Sequence, residues 1–372
     1  MTMSLLNYYS VNYLDCRRKF LAATKAAGFS VDSFVNPLMG AKGEELATDV
    51  VLIGSISASK LLVIISGTHG VETFAGAAYQ TGWISEERWQ QLPEDTAVLL
   101  IHCINPYGAS WRRRYNEDNV DLNRNFVVHP TGHIENNLYA QIHPFIVPPA
   151  LEGEEREVCE NALRELRHDF GETKFMQAIL GQYSHPTGYG FGGWEPVWSN
   201  QTLAYIIDKY CSACSRLAVL DIHTGLGPYG YGLVGVAHAP ESEAAVRARQ
   251  WFGVPMATFA EVAGEYDFPD YEKYVDGLLL TAFIKNLPKT EVTAAGIEFG
   301  TFPYDDVLAC ERDELWLYNH PNADARTAEQ VRRKALRGYY PQQRDWQEMV
   351  WWRCDQVVRQ ALSGLQMTEI NL

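Results

Sequence analysis

The sequence predicts a single α/β domain over residues 1–372, with a twisted, mixed but mostly parallel central sheet that is flanked by helices. Three observations support this fold class. Apolar runs of strand length recur along the chain, helix-like patterns lie between them, and the 372 residues, 47% of them hydrophobic, contain no Ser/Gly-rich or Pro-rich linker. Strands that alternate with helices form mostly parallel sheets covered on both faces.

The predicted elements follow in chain order from this alternation. Strands are predicted at residues 50–55, 61–66, 97–102, 217–222, 231–237 and 294–300. Helices are predicted at residues 14–27, 72–82, 200–215, 242–252 and 272–286. Several of the strand segments are nearly continuous runs of apolar residues, as expected of strands that are buried on both faces of a sheet.

Two longer regions depart from the alternation. Residues 127–195 are predicted to form an irregular insertion that ends in the Gly- and Tyr-rich segment HPTGYGFGGWEP. Loops of this length in a compact domain usually have a function or shape an entrance. Residues from about 305 to 366 are predicted to form a helical C-terminal appendage on the same core. Four tryptophans are spaced there to pack inward: Trp316, Trp346, Trp351 and Trp352.

The composition argues against two classes of partner. With 31 basic and 46 acidic residues the net charge is −15, so the chain repels phosphate backbones and no nucleic-acid partner is expected. No long apolar run is present, so no membrane span is expected, and the N-terminus lacks the features of a signal peptide.

The 7 dispersed cysteines favour reduced thiols and a cytoplasmic location. The lone CxxC pair, Cys211 and Cys214, is better interpreted as two buried small side chains than as a zinc site.

An HxxE pattern, which can supply two metal ligands, occurs twice and must be judged by its context. His69 and Glu72 follow an apolar strand through a Ser-Gly-Thr turn. This is the carboxyl end of a strand, where open α/β sheets bind their ligands. His238 and Glu241 instead lead into a charged surface helix, where Glu241 is typical of a first helical turn. The first pair is therefore the metal-site candidate and the second pair is interpreted as structural.

A catalytic zinc site uses three protein ligands and leaves one position open. The HExxH motif is absent, so a third ligand must come from another strand end. The segment LAVLDIHTG supplies His223, which follows an apolar strand, is preceded by Asp221 and is followed by Thr-Gly. Taken alone, His223 is equally consistent with a histidine that merely ends a strand. His223 is a candidate because it repeats the pattern found at His69, an apolar run followed by a histidine and a Gly-containing turn.

Two further stretches carry polar residues that a solvated loop does not explain well. Residues 105–126, NPYGASWRRRYNEDNVDLNRNF, are polar without a helical period, and Arg124 lies between two asparagines. Arginine captures carboxylates in a bidentate manner, and Arg114 is placed to stabilise a developing oxyanion. Glu298 lies at the end of an apolar strand, where a carboxylate is costly unless it is paired or functional. Beside water at a metal it would serve as a general base.

These four stretches together resemble the zinc carboxypeptidase superfamily, and most closely its bacterial branch of carboxypeptidase-like proteins. That superfamily has a His-x-x-Glu pair, an Asn-Pro…Arg…Asp-x-Asn-Arg-Asn stretch, a distant His and a late Glu in this order. The same order is present here between about residues 50 and 302. The resemblance implies a zinc carboxypeptidase-like fold and one zinc ion per chain.

Roles are carried over from the resemblance position by position. His69, Glu72 and His223 are identified as zinc ligands and Glu298 as the base that activates water. Arg114 is the arginine that polarises the scissile carbonyl, although its neighbours Arg112 and Arg113 leave this alignment open by one or two positions. The resemblance also implies that Asn123 and Arg124 grip the terminal carboxylate of the substrate and that Asp121 orients the first histidine. The mobile substrate-clamping tyrosine of the family has several candidates: Tyr229, Tyr231, Tyr266, Tyr271 and Tyr274.

The expected function is that of a zinc-dependent hydrolase that cleaves an amide or peptide bond next to a free carboxylate. The substrate would be a small peptide or an acyl-amino acid. The superfamily also contains N-acyl-amino-acid deacylases and murein-peptide amidases, and the metal motifs do not separate these activities. An inactive zinc-binding protein is the alternative of another class, and the sequence leaves open whether the chain forms a homo-oligomer.

Overall fold

The computed structural model describes residues 4–253, 256–258 and 275–367. The strands are β1 Asp32–Met39, β2 Glu45–Ile53, β3 Lys60–Ser66, β4 Thr96–His102, β5 Arg216–Tyr229, β6 Leu233–Val236, β7 Ala257–Thr258 and β8 Glu291–Gly300. The helices are α1 Tyr13–Ala26, α2 Thr73–Ser85, α3 Pro106–Trp111, α4 Asn137–Ile146, α5 Glu154–Ile179, α6 Trp198–Cys211, α7 Glu243–Phe252, α8 Leu279–Asn286, α9 Tyr304–Asn319, α10 Ala325–Tyr339 and α11 Arg344–Gln366.

The described strands form one mixed sheet of 8 strands in the order β1-β2-β4-β3-β5-β8-β6-β7. The central strands β4, β3, β5 and β8 are parallel to one another. β2 pairs antiparallel with β4 on one side, and β6 pairs antiparallel with β8 on the other. Because the four central strands are parallel, their carboxyl ends meet at one edge of the sheet.

The two faces of the sheet are buried by different helices. Along β3 the side chains of Leu62 and Ile64 belong to a core with α2 and α11, whereas Leu61, Val63 and Ile65 belong to a core with α6 and α8. This alternation is the period of two that a strand imposes on its side chains. It explains why β3 is apolar at almost every position, and it confirms the predicted α/β fold with a mostly parallel central sheet.

The six predicted strands are all present, but the sequence analysis missed β1 and β7. β1 is an edge strand that contains Pro37 and is largely exposed along its length. Such a strand lacks the apolar run by which the others were recognised. The predicted helices correspond to α1, α2, α6, α7 and α8. Residues 272–274, the start of the last predicted helix, lie outside the described residues.

The prediction of an irregular insertion at residues 127–195 is wrong in its secondary structure. This region contains α4 and α5, and α5 is interrupted at Gly171, which has a φ of 74°. The two helices share a core of their own that includes Tyr139, Ile142, Ile146 and Phe175. Tyr139, Ile142 and Ile146 follow the helical spacing of three and four residues, a signal that the sequence analysis overlooked.

The C-terminal region is helical as predicted, but its last helix belongs to the main core and is not appended to it. On α11, Trp346 and Trp351 are 0% and 1% exposed and pack with residues of the sheet. The prediction that Trp352 also packs inward is wrong, since this side chain is 57% exposed. Adjacent residues of a helix point about 100° apart, so Trp351 and Trp352 do not share one buried stripe.

Two smaller predictions can be compared with the described part of the chain. No helix within it is long and apolar enough to cross a membrane. All seven cysteines are free and buried, and the Cys214 thiol lies 3.1 Å from the Cys211 carbonyl oxygen within the protein interior. The interpretation of this CxxC pair as buried small side chains is therefore confirmed.

Candidate active site

The turn after β3 places His69 and Glu72 at the sheet edge. Gly67 has a φ of 78°, a backbone conformation that favours glycine, and it redirects the chain as the strand ends. Residues Gly70–Glu72 form a short 3₁₀ helix that runs directly into α2. His69 and Glu72 are 3% and 2% exposed. A strand-to-helix turn thus carries two buried polar side chains at the carboxyl end of a central strand.

His223 reaches the same edge from the neighbouring strand β5. The parallel register pairs Ser66, the last residue of β3, with Ile222 of β5, so the turn after β3 lies beside His223. The His69 Nδ1 atom is 2.9 Å from Glu72 Oε1, and the His223 Nδ1 atom is 3.1 Å from Glu72 Oε2. One donor atom from each of the three residues lies within 4.8 Å of the other two. The structure therefore brings together the three predicted metal ligands.

Each histidine uses its second ring nitrogen on another carboxylate. His69 Nε2 is 3.0 Å from Asp121 Oδ1, and His223 Nε2 is 2.7 Å from Asp221 Oδ2. The Thr68 hydroxyl donates to both oxygens of Asp221 at 2.9 Å. When Nε2–H is donated to a carboxylate, Nδ1 keeps a lone pair that can bind a metal. Asp121 thus contacts the first histidine as predicted, and Asp221 does the same for the second.

The role of Asp221 was missed by the sequence analysis, which noted the residue only as a neighbour of His223. A signal was available. Residues two apart on a strand point to the same face, so Asp221 and His223 must lie on one side of β5. A buried carboxylate there needs a partner, and the nearest candidate is the histidine two positions later.

Of the three consecutive arginines, only Arg114 turns toward the candidate metal ligands. The Arg112 Nη1 atom lies 2.8 Å from Glu329 Oε1 on α10, and Arg113 forms a buried ion pair with Glu314 on α9. The backbone carbonyl of Arg114 accepts a hydrogen bond of 3.1 Å from the Gly70 amide. This hydrogen bond joins the arginine loop, residues 112–114, to the turn that carries His69.

The Arg114 guanidinium is surrounded by carboxylates. Its Nη1 atom lies 3.0 Å from Glu72 Oε1, its Nη2 atom 3.5 Å from Asp121 Oδ2 and its Nε atom 3.2 Å from Glu311 Oε1. The ring of Tyr339 lies below the guanidinium, with 5.9 Å between the guanidinium carbon and the ring centroid. Glu311 and Tyr339 belong to α9 and α10 and were not predicted. Buried polar residues in those helices give no pattern in the sequence that distinguishes them from surface residues.

Glu298 lies next to His223 in the sheet. The two residues are register partners on β8 and β5, so their side chains are on the same face. Glu298 Oε1 accepts a hydrogen bond of 3.1 Å from the Leu226 amide. Burial raises the pKa of Glu298 to about 7, and the Glu72 carboxylate adds to this rise, although His223 opposes it. A carboxyl group with this pKa can accept and return a proton near neutral pH.

Asn123 and Arg124 lie beside this cluster in a short 3₁₀ helix, Leu122–Arg124, that Asp121 caps. The Asn123 side-chain oxygen accepts from the Leu279 amide at 3.0 Å. The Arg124 guanidinium donates to the backbone carbonyls of Leu180 and Asn123. Both side chains are thus partly engaged within the protein. The structure places them next to the site but does not add them to the group of candidate metal ligands.

The electrostatics of the site suit a bound cation. Five carboxyl groups of the described residues converge there, Glu72, Asp121, Asp221, Glu298 and Glu311, and Arg114 is a fixed positive charge among them. Burial lowers the pKa of each histidine, but neighbouring carboxylates outweigh it and the pKa values of His69 and His223 are raised. Burial likewise raises the pKa of Glu72, and the two histidines outweigh it, so this pKa is lowered. Two imidazole nitrogens and a carboxylate are donors that zinc binds, so the residues present fit a divalent zinc ion.

A cleft of about 330 Å³ opens beside Glu298. Its lining comes from the segments that follow His223 and Glu298: Gly225, Leu226, Gly227, Tyr229, Thr301, Phe302, Pro303 and Tyr304. Of the tyrosines considered for a substrate clamp, Tyr229 lines this cleft and Tyr231 is 48% exposed. Tyr266, Tyr271 and Tyr274 lie outside the described residues. The interpretation of His238 as structural agrees with its hydrogen bond of 3.0 Å from the Ala294 amide.

Comparison with solved structures finds a likeness to several hydrolases. Carboxypeptidase A from Helicoverpa armigera is 11% identical over 88% of this chain and 73% of its own, with a TM-score of 0.48. Murein-tripeptide amidase from Escherichia coli O157 is 16% identical over 82% and 92% of the two chains, with a TM-score of 0.34. An aspartoacylase family protein from Mesorhizobium loti is 15% identical over 77% and 67%, with a TM-score of 0.34.

Comparison of sequences gives a family and no closer relative. No curated protein sequence matches the chain. A family model described as a protein of unknown function (DUF2817) matches residues 9–353, which include every candidate site residue described above. Because this match covers most of the 372 residues, the chain belongs to the DUF2817 family.

Proposed function

We propose that this protein is a zinc-dependent hydrolase that cleaves an amide or peptide bond next to a free carboxylate. The observation that carries the proposal is the convergence of His69, Glu72 and His223, with one donor atom from each within 4.8 Å of the others. Three protein ligands with an open fourth position are typical of catalytic zinc sites, whereas structural zinc sites are closed by four.

The ligands would bind one zinc ion through the Nδ1 atoms of the two histidines and the carboxylate of Glu72. A zinc ion held there would supply Lewis-acid activation of water and of the scissile carbonyl. Asp121 and Asp221 hold the two imidazole rings through Nε2, which fixes their orientation before a metal arrives. Preorganised ligands of this kind reduce the cost of binding a metal ion.

Glu298 is the proposed general base and general acid. It takes a proton from the attacking water and returns it to the leaving nitrogen when the amide bond breaks. Its position beside His223 and its pKa of about 7 support this role. The hydrogen bond from the Leu226 amide holds one carboxylate oxygen and leaves the other for proton transfer.

The arginines are proposed to bind the two ends of the substrate. Arg114 directs Nη1 and Nη2 toward the candidate ligands, a position from which it would stabilise negative charge on the carbonyl oxygen. Asn123 and Arg124 would bind the free carboxylate of a small peptide or acyl-amino acid. The Nε and Nη1 atoms of Arg124 already donate to the backbone carbonyls of Leu180 and Asn123, so the substrate carboxylate would bind at its Nη2 atom.

A panel of substrates on zinc-loaded protein tests the proposal. Blocked dipeptides, N-acetyl and N-succinyl amino acids and murein tripeptide would each be assayed for release of free amino acid. Hydrolysis of any member that is lost when its free carboxylate is amidated supports the proposal. Tight zinc binding with no hydrolysis across the panel would contradict it and favour a zinc-binding protein without catalysis. Which member is cleaved separates a carboxypeptidase from a deacylase or an amidase.

A further inference from the structure

Arg114 is anchored on the side that faces away from the candidate metal ligands. Its Nη1 and Nη2 atoms face Glu72 and Asp121, whereas its Nε atom lies 3.2 Å from Glu311. Glu72 and Asp121 are already engaged with the two histidines and with His69 respectively. Among the described residues, Glu311 forms no hydrogen bond with either histidine. It is therefore the carboxylate whose contact with Arg114 persists whatever the other two bind.

Glu311 is itself held rigidly. Its side chain is 4% exposed on α9. The Tyr339 hydroxyl of α10 donates a hydrogen bond to Glu311 Oε1, and the Tyr189 hydroxyl is a further hydrogen-bond partner. A buried carboxyl group that binds an arginine and accepts from tyrosines has hydrogen-bond partners that fix its rotamer. Such a group can determine where the guanidinium points.

From these contacts we propose that Glu311 is a positioning residue that aims the Arg114 guanidinium at the carbonyl oxygen of the substrate. This inference rests on the proposed function, in which Arg114 stabilises that oxygen. Glu311 binds Nε and thereby leaves both Nη groups facing the reaction site. The consequence is that the C-terminal helices α9 and α10 are part of the active site. They contact the loop that carries Arg114, and they lie beyond about residue 302, where the sequence motifs end.

The chain supplies a matched control for this proposal. Glu314 lies three residues after Glu311 on α9, on the same side of the helix. It forms a buried ion pair with Arg113, the neighbour of Arg114. The carboxylates of both pairs are 4% exposed, but Arg113 does not reach the candidate ligands and contacts Asn119 instead. Replacing Glu314 removes a buried carboxylate of the same helix that is not among the ion-pair partners of Arg114.

The experiment compares Glu311→Gln with Glu314→Gln in zinc-loaded, full-length protein labelled with ¹⁵N-arginine. The Arg114 Nε–H signal, assigned through an Arg114→Lys variant, reports the anchor directly. We expect this signal to shift and to lose exchange protection in Glu311→Gln, and to stay unchanged in Glu314→Gln. Zinc content should be unchanged in both variants, since neither residue contacts a candidate ligand.

Kinetics on the cleaved substrate provide the second readout. A mispositioned catalytic group costs up to about 100-fold in rate, so we expect kcat of Glu311→Gln to fall by about 10- to 100-fold with KM changed by less than about twofold. Glu314→Gln should keep the wild-type kcat. If Glu311→Gln does not fold, Tyr339→Phe removes one of the hydrogen bonds that fix Glu311 and should lower kcat by a smaller factor.

Three results would overturn the proposal: an unchanged Arg114 Nε–H signal in Glu311→Gln, equal losses of kcat in the two glutamine variants, or a change confined to KM. Failure of the proposed function gives a different result. In that case the wild type cleaves no substrate of the panel, while the arginine signal still shows whether Glu311 holds Arg114.

Discussion

The carboxylates of the site differ in charge state because their neighbours differ. Glu72 lies between two histidines, which outweigh the effect of burial and lower its pKa. Glu298 lies on β8 and accepts a hydrogen bond from the Leu226 amide, and burial dominates and raises its pKa to about 7. Pairs of carboxylates whose environments separate their pKa values in this way divide the roles of ligand and base between them.

Replacing Glu298 with glutamine tests this division. The amide has nearly the same shape but cannot accept a proton from water. We expect kcat to fall by roughly 100-fold or more, within the range for losing a general base, while the zinc content stays at the wild-type level. Single-turnover assays and elemental analysis would measure these quantities. A variant with wild-type activity would show that Glu298 is not the base.

The two carboxylates behind the histidines should control metal affinity. Asp221→Asn and Asp121→Asn each remove the charge that orients an imidazole through Nε2. We expect each variant to bind zinc about 10- to 100-fold more weakly, the usual effect of losing such a partner. Competition with a chelating dye would measure the affinities. Asp313→Asn is the control. Asp313 is a buried aspartate on α9 that forms ion pairs with Arg156 of α5 and Lys334 of α10, and its replacement should leave zinc binding at the wild-type level. Equal affinities in all the variants would contradict the assigned contacts.

The candidate site was predictable where it depends on strand ends. His69 follows the buried strand β3 and His223 lies within the neighbouring strand β5, and the parallel pairing of β3 and β5 brings these positions together. Glu298 could be predicted for the same reason, since β8 pairs with β5. The contribution of Glu311 could not be predicted. It depends on how α9 packs against the arginine loop, and this packing leaves no periodic signal in the sequence.

The turn between β3 and α2 depends on a close approach of two backbones. Gly70 lies against α3, and a Cβ atom added there would be 2.0 Å from the Gly108 carbonyl carbon. Neither backbone can move without displacing His69 on one side or the arginine loop on the other. The turn that carries His69 and Glu72 and the loop that carries Arg114 are therefore positioned by contact between glycines as well as by the sheet.

A methyl group at Gly70 should disturb both stability and metal binding. We expect Gly70→Ala to lower the free energy of unfolding by about 1–3 kcal/mol, as overpacking usually does, and to weaken zinc binding. Gly28→Ala is the control. Gly28 has a φ of 78° and open space around its Cβ position, so its replacement costs stability through the backbone alone. Chemical denaturation and zinc titration of both variants would measure this. Unchanged zinc affinity in Gly70→Ala would contradict the account.

Helices and strands were predicted to different extents for physical reasons. The central strands are buried on both faces and show as apolar runs, so all were recognised. β1 is exposed at most positions, and α4 and α5 pack mainly on each other in a separate small core. β1 therefore has a weak hydrophobic pattern, whereas α4 carries a helical spacing at Tyr139, Ile142 and Ile146 that the sequence analysis overlooked.

Glu311 should also link the stability of the whole molecule to pH. Burial raises its pKa from 4.5 to about 7, although Arg114 opposes this effect. The folded protein therefore holds this proton more tightly than the unfolded chain. The stabilisation is complete below pH 4.5 and is lost as the pH rises through 7. Glutamine does not titrate, so the Glu311→Gln variant does not lose this stabilisation as the pH rises.

In metal-free protein, the free energy of unfolding of Glu311→Gln relative to wild type should therefore increase between pH 4.5 and 7. Urea denaturation at several pH values in this range would measure the difference. Comparing the variant with wild type removes the contributions of groups that titrate in both proteins. A difference that is constant or decreasing with pH would show that the pKa of Glu311 is not raised.

The central claim is that His69, Glu72 and His223 form one metal site, and metal content tests it most directly. Purified wild-type protein and a His223→Ala variant would be supplied with zinc, dialysed and measured by elemental analysis, with circular dichroism to verify that both are folded. The account predicts about one zinc ion per chain in wild type and a large loss in the variant. Wild-type protein that retains no zinc after this treatment, or a folded variant that retains as much as wild type, would contradict it.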